Sequence, residues 1–167
     1  MMKGCTDMNK YYLAYGSNLN KEQMARRCPG AEPIGAALIH DYELVFRRGF
    51  LTIEPKEGSS VPVGIWRISD ENEKALDRYE GYPKFYRKEY FNITFWMPGT
   101  KGENEHCLAY IMQDGHPIQA PSDGYLIICR IGYKEFGLDL DPLMQAYARA
   151  KWPEDYTTVS TTKVDRK

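Results

Sequence analysis

The sequence has few of the residues that hold metals and disulfides. Its 167 residues include 4 cysteines and 3 histidines. Cys5, Cys28, Cys107 and Cys129 stand far apart, with no CxxC pair. A zinc site needs closely spaced Cys/His pairs. His106-Cys107 is the one adjacent pair, and neighbours on a strand face opposite ways. No metal site is expected, and His40 and His116 read as packing or surface residues. Charge of one sign is also lacking: 22 Lys+Arg stand against 23 Asp+Glu. That balance gives no global field for nucleic acid or for an anionic membrane surface. No apolar run is long enough to span a bilayer, and Met1 to Asp7 has no signal-peptide core. With scattered cysteines and no export signal, reduced thiols and a cytoplasmic location are expected. Repeats and low-complexity tracts are missing as well.

What is present suits a single folded domain. Hydrophobic residues make up 43% and charged residues 27%, enough for a core without disulfide or metal staples. The 13 tyrosines are the unusual count. A phenol packs as a ring and carries a polar tip, so tyrosine suits the wall of a small-molecule pocket, or plain strand packing.

Tyr11 to Tyr15 reads as a first strand, broken by Gly16-Ser17-Asn18. Asn20 caps a helix through Met24 and Arg26, with Gln23 in the capping-box position, and Pro29-Gly30 ends it. Ala36 to Phe46 reads as a strand with Leu38, Tyr42, Leu44 and Phe46 on one face, and Glu54 to Ser60 as a polar loop. Val63 to Ile68 is a strand. Ser69 caps a helix that ends near Tyr79, with Gly81 and Pro83 beyond it. Tyr86 to Trp96 and Cys107 to Met112 are strands, the first followed by a turn at Pro98 to Gly102. Ser122 caps a helix to about Phe136, stopped by Gly137. Asp141-Pro142 opens a last helix with Leu143, Met144, Tyr147 and Ala150 on its apolar side. The expected fold is α+β: a curved, mixed or antiparallel barrel-like sheet with flanking helices. The domain is expected over residues 1–152, followed by a polar tail over 153–167.

Three places could carry chemistry. The turn Tyr15-Gly16-Ser17-Asn18-Leu19 could bring successive N–H groups close to a carboxylate, phosphate or oxyanion, although Gly, Ser and Asn also supply ordinary turn chemistry. It is neither a Walker loop nor a G-x-S-x-G elbow. Glu80 lies four residues after Leu76, so it shares a helix face with a core leucine, while Glu73, Lys74 and Asp77 turn toward solvent. Desolvation and the helix dipole would both raise its pKa, as a general acid/base requires. The competing reading is a solvated glutamate at a fraying helix end. Tyr86, Tyr110 and Tyr125 could orient a polar substrate, or could be core tyrosines with satisfied hydroxyls.

Tyr15-Gly16-Ser17-Asn18-Leu19 resembles the signature loop of the γ-glutamylcyclotransferase-like (AIG2-like) family. Further pieces follow in the family's order. They are Thr52-Ile53 with Pro55, Val63-Gly64 with Trp66, Leu76-Asp77 with Glu80-Gly81, Tyr86, Ala109-Tyr110, Pro121-Ser122 with Tyr125, Ile127-Ile128-Cys129 and Gly137-Leu138. The resemblance covers about residues 10 to 150 and implies the family's barrel with a pocket at the first loop. It implies that Glu80 is the acid/base, that Tyr15, Gly16, Ser17, Asn18 and Leu19 line the γ-glutamyl site, and that Tyr86, Tyr110 and Tyr125 face the ligand. The implied reaction is intramolecular: the α-amine of a γ-glutamyl compound attacks its own γ-amide and releases 5-oxoproline with an amine or amino acid. No cofactor or metal is needed. The expected partner is the small-molecule γ-glutamyl substrate, with a homodimer allowed and neither nucleic acid nor membrane involved. Two alternatives stand beside this: a non-catalytic binder of the same fold, and a cyclotransferase for γ-glutamylamines or a biosynthetic intermediate. Around Arg47-Arg48 and Tyr82-Pro83 the chain departs from the family's glutathione-pathway enzyme, which leaves the leaving group open. Arg47 or Arg48 could meet a leaving-group carboxylate, and Tyr82 and Phe85 could wall that side.

Overall fold

The computed structural model describes residues 10–95 and 104–156. These residues form one five-stranded sheet flanked by helices. The strands are β1 (Lys10–Ala14), β2 (Glu32–Arg47), β3 (Phe50–Ile68), β4 (Tyr86–Thr94) and β5 (Asn104–Met112), in the spatial order β2-β3-β1-β5-β4. β1 is antiparallel to β3 and parallel to β5, and β4 is antiparallel to β5. The helices are α1 (Lys21–Arg27), α2 (Asp70–Tyr79), α3 (Asp123–Glu135) and α4 (Asp141–Lys151).

Three helix starts follow their capping residues, and α4 opens on Asp141-Pro142 without a side-chain cap. Asn20 accepts the Gln23 N–H at 3.0 Å. The Gln23 side chain does not close the box but accepts from Arg27. Ser69 and Asn72 form a complete capping box on α2. Ser122 accepts the Tyr125 N–H at 3.2 Å at the start of α3. On α4 the buried residues are Leu143 and Ala146, with Met144, Tyr147 and Ala150 partly covered.

The sheet departs from the sequence reading in three places. First, it is curved but not closed. Its edge strands approach through side chains, Tyr42 on β2 meeting Phe91 on β4 edge-to-face at 5.3 Å, without a ladder between them. Second, Leu38 does not share a face with Leu44 and Phe46: it is exposed, and Ile39 is buried instead. A register shift between His40 and Tyr42 inserts Asp41 with φ of 62°, and one inserted residue inverts a period-2 pattern. Third, the polar stretch Glu54 to Ser60 does not separate two strands. β3 runs through it, with Pro55 paired to Tyr42 and Ser60 to His40. Lys56 to Ser59 bulge between those pairs, and the Gly58 N–H donates to Asp41 at 3.0 Å. β2 and β3 are joined by Arg48-Gly49, both at positive φ, as a two-residue hairpin requires.

Glu73 and Asp77 are not turned to solvent either. Glu73 pairs with Lys10 at 2.5 Å, and Asp77 pairs with Lys88 at 2.9 Å. These ion pairs tie α2 to β1 and β4. The turn expected at Pro98 to Gly102, the end of the expected strand at Trp96, Cys5, and the tail from residue 157 lie outside the described residues.

Candidate active site

One cavity of about 210 Å³ gathers most of the singled-out residues. It forms where β1 ends and the chain turns through Tyr15 and Gly16 into a 3-10 turn, Ser17–Leu19. Long-range bonds hold that turn. Trp66 Nε1 donates to the Asn18 carbonyl at 2.9 Å, and the buried Tyr133 hydroxyl donates to the Tyr15 carbonyl at 2.7 Å. Leu19 anchors the turn from beneath, fully buried. Two glycines make room for it. A Cβ on Gly64 would lie 2.5 Å from Leu19 Cδ2, and one on Gly132 would lie 2.6 Å from Leu19 Cβ. Leu19 therefore packs in the core, whereas Tyr15, Gly16, Ser17 and Asn18 line the cavity.

Gly16 keeps the cavity open. A Cβ there would lie 3.1 Å from the Tyr125 hydroxyl and 3.6 Å from the Leu51 side chain. A 3-10 turn leaves its first N–H groups without an internal acceptor. The first internal bonds here are Leu19 N–H to Gly16 O and Asn20 N–H to Ser17 O. The N–H groups of Ser17 and Asn18 precede them.

Glu80 caps the C-terminus of α2 and faces that turn. Its Oε1 accepts from Asn18 Nδ2 at 3.1 Å. Burial pushes its pKa up to about 7, and the Arg27 charge opposes that rise. Such a carboxyl can hold or release a proton near neutral pH.

Tyr86, Tyr110 and Tyr125 also line the cavity, but their hydroxyls are engaged by the protein. Tyr86 donates to the Leu51 carbonyl at 2.8 Å, Tyr110 to Asp77 Oδ1 at 2.6 Å, and Tyr125 accepts the Leu51 N–H at 3.2 Å. The Tyr15 hydroxyl donates to the Tyr110 carbonyl. Burial raises the pKa of all of these phenols, so they present neutral walls.

Tyr12, Leu51 and Tyr79 complete the lining and were not singled out in the sequence. Tyr79 carried one signal, its place beside Glu80. The tyrosine content gave no way to choose Tyr12. Phe50 and Phe85 form a wall, edge-to-face at 6.2 Å. The two arginines of the hairpin separate. Arg47 is bound to Glu54 and to the His116 carbonyl, away from the cavity lining. Arg48 is exposed, its guanidinium 5.5 Å from the ring centre of Phe85. Among the described residues no group of three or more His, Cys, Asp or Glu could hold a metal ion. No helix among the described residues is long and apolar enough to cross a membrane.

Residues 12–127 match the family described as Gamma-glutamyl cyclotransferase, AIG2-like. The chain is 30% identical to Gamma-glutamylcyclotransferase of Homo sapiens over 171 residues, covering 92% of this chain and 88% of that protein. It is 28% identical to the Bos taurus protein of the same name over 170 residues, covering 92% and 87%. A solved structure described as Gamma-glutamyl cyclotransferase superposes with a TM-score of 0.66 at 26% identity, over 86% of each chain. A crystal structure of uncharacterized protein loc79017 from Homo sapiens gives a TM-score of 0.68 at 26% identity, again over 86% of each. With the match spanning the strands, the first turn and the Glu80 region, this chain belongs to the gamma-glutamyl cyclotransferase, AIG2-like family.

Proposed function

We propose that this protein is a γ-glutamylcyclotransferase whose acid/base is Glu80, releasing 5-oxoproline and an amine or amino acid from a γ-glutamyl compound. The observation that carries the assignment is the Glu80 carboxyl, raised to about 7 by burial, lining a small cavity and hydrogen-bonded to Asn18 of the turn that lines it too.

The substrate brings its own nucleophile. Its α-ammonium must first lose a proton, and the Glu80 carboxylate is placed to take it. The free amine then attacks the γ-carbonyl carbon, closing a five-membered ring and placing negative charge on the carbonyl oxygen. The N–H groups at the start of the 3-10 turn suit that oxyanion. Glu80 passes its proton to the leaving nitrogen, the C–N bond breaks, and the new ring nitrogen gives up its second proton through Glu80 to the departing amine, which leaves as an ammonium, so the enzyme ends in its starting state. Because nucleophile and electrophile belong to one molecule, much of the rate comes from holding the folded-back conformer. The cavity, bounded by Tyr12, Tyr15, Tyr86, Tyr110 and Tyr125, is narrow and apolar enough for this.

The leaving group departs toward the Phe50–Phe85 wall, with Arg48 at its edge. Arg48 is exposed and outside the cavity lining, so an amino acid is favoured where its carboxylate reaches that guanidinium and a plain amine otherwise. We assign the protein to the cytoplasm, supported by the free thiols of Cys28, Cys107 and Cys129, whose pKa values burial pushes up to about 11 or 12. The deciding experiment is a panel of γ-glutamyl amino acids and γ-glutamylamines assayed for 5-oxoproline. Release from at least one is expected. No release from any, with 5-oxoproline still bound in the cavity, would leave a binding protein.

A further inference from the structure

Asn18 sits at the centre of the site and is 3% exposed. Its carboxamide has partners on both sides. Nδ2 donates to the Tyr12 hydroxyl at 3.0 Å and to Glu80 Oε1 at 3.1 Å, while Oδ1 accepts from Arg27 Nη1 at 2.6 Å. The two ends of an amide have nearly the same shape, so shape does not decide which end faces Glu80. Arg27 decides it. A guanidinium only donates, so it compels the amide oxygen to its own side and the NH2 to the other. The reversed amide would set oxygen against the Glu80 carboxylate and NH2 against a cation, losing both bonds.

Arg27 is itself held from three elements. Its Nη2 donates to Gln23 Oε1 at 2.7 Å, one turn back on α1. Its guanidinium lies 3.7 Å from the ring centre of Tyr79, the last residue of α2. The Tyr79 hydroxyl meets Ser17 Oγ at 3.2 Å, which returns the chain of contacts to the turn. Among the described residues Arg27 makes no ion pair, which distinguishes it from Arg26, paired to Glu22 on the same helix. It does not line the cavity.

We propose that Arg27 is a positioning residue of the reaction, which fixes the Asn18 carboxamide with its NH2 toward Glu80 and so sets the acid/base in its working geometry. This rests on the assignment of Glu80 made above. The titratable and charged groups around Glu80 are Tyr12 from β1, Tyr15 just after it, Arg27 from α1, Tyr79 from α2, Tyr86 from β4, Tyr110 from β5 and Tyr125 from α3. Arg27 is the one cation in that set, so its charge also favours the ionised carboxylate.

The test combines titration with a double-mutant cycle. The Glu80 carboxyl is titrated by carbon-13 NMR in wild type, Arg27→Met and Arg27→Lys, a readout that needs no turnover. In Arg27→Met the carboxyl should titrate higher by about half a unit to one unit, and Lys should restore most of that shift. The kcat for 5-oxoproline release should fall about 10–100-fold in Arg27→Met with KM within about threefold, as expected for loss of orientation at the reacting centre. The acid limb of kcat/KM should move up with the carboxyl. Because Arg27 orients Glu80 through Asn18, the kcat losses of Asn18→Ala and Arg27→Met, compared at a pH where the carboxyl is ionised in every variant, should not add, and the double variant should match Asn18→Ala. Additive losses would overturn the proposal, as would a folded Arg27→Met protein with unchanged titration and kcat. If Arg27→Met fails to fold, Arg27→Lys decides. It keeps the charge but not the planar fork, so its kcat should drop while its titration stays near wild type. A wild type silent toward every γ-glutamyl compound would defeat the enzyme assignment alone, because the titration would still report on Arg27.

Discussion

The surroundings of Glu80 oppose one another. Burial lifts its pKa to about 7, while Arg27 and the Asn18 NH2 favour the charged form. A base much weaker than the α-amine could not take its proton, and one much stronger could not return it. Glu80→Gln keeps the shape and the acceptor for Asn18 but moves no proton. Its kcat should fall by about two to four orders of magnitude, with 5-oxoproline affinity, read by calorimetry, little changed. Near wild-type turnover would remove Glu80 from the chemistry. In the wild type, kcat/KM should rise with pH through about 7, because the free enzyme must present the carboxylate. The two hairpin arginines call for opposite expectations. Arg47 is committed to Glu54, so Arg47→Ala should leave substrate preference unchanged. Arg48 is exposed beside Phe85, so Arg48→Ala should lower the preference for a γ-glutamyl amino acid over its decarboxylated amine by about tenfold, the lower end of a charge-assisted bond. Steady-state kinetics on the two substrates distinguish the cases, and equal preference in all three proteins would remove both arginines from the leaving-group side.

Elements place these residues, and the sequence disclosed the elements unevenly. The caps Asn20, Ser69 and Ser122 are local, and each helix begins where its cap stands. The place of Glu80 at the end of α2 could be read from its spacing to Leu76 and the glycine after it, for a helix end is also local, whereas its proposed role came from the family resemblance and not from that spacing. The hairpin at Arg48-Gly49 could not, because an arginine at φ of 50° is not a turn signal. The bulge at Asp41 inverted the strand pattern for the same kind of reason: pairing with β3 fixes it, and β2 alone does not. Arg27 and Tyr12 reach the site only through the packing of α1, α2 and β1, which periodicity does not report. Gly132 shows how tightly the site's frame is built. A Cβ there would lie 2.6 Å from the Asn20 nitrogen, so α3 and the 3-10 turn would have to separate. Gly132→Ala should cost about 1–3 kcal/mol in a denaturant melt and weaken 5-oxoproline binding. Gly124, on the same helix with open space around it, should tolerate alanine and gain up to about 1 kcal/mol. Equal effects at both positions would mean that the close approach of α3 does not hold the turn.

The whole molecule carries a stability cost for burying this carboxyl. Folding moves Glu80 from its ordinary value of 4.5 up to about 7, and burial is the cause. Between those values the folded protein holds a proton that the unfolded chain has released. The contribution of this group is therefore most favourable below about 4.5, declines as pH rises toward 7, and is a constant penalty above that. A shift of this size corresponds to at most about 3–4 kcal/mol, and to about 1–3 kcal/mol for a carboxyl that solvent still reaches in part. Glu80→Gln, neutral in both states, escapes the penalty. At pH 8 it should be more stable than wild type by about that amount, with Tm rising about 2–4 °C for each kcal/mol. At pH 4.5 the two proteins should melt together. Comparing the proteins at each pH cancels the titration of every other group, including the Lys10, Lys88, Glu73 and Asp77 ion pairs that fasten α2 to the sheet. A stability gap that does not change between pH 4.5 and pH 8 would mean that Glu80 ionises alike in the folded and unfolded chain. The same variant should thus lose its turnover and gain stability, and both changes should follow the ionisation of one carboxyl group.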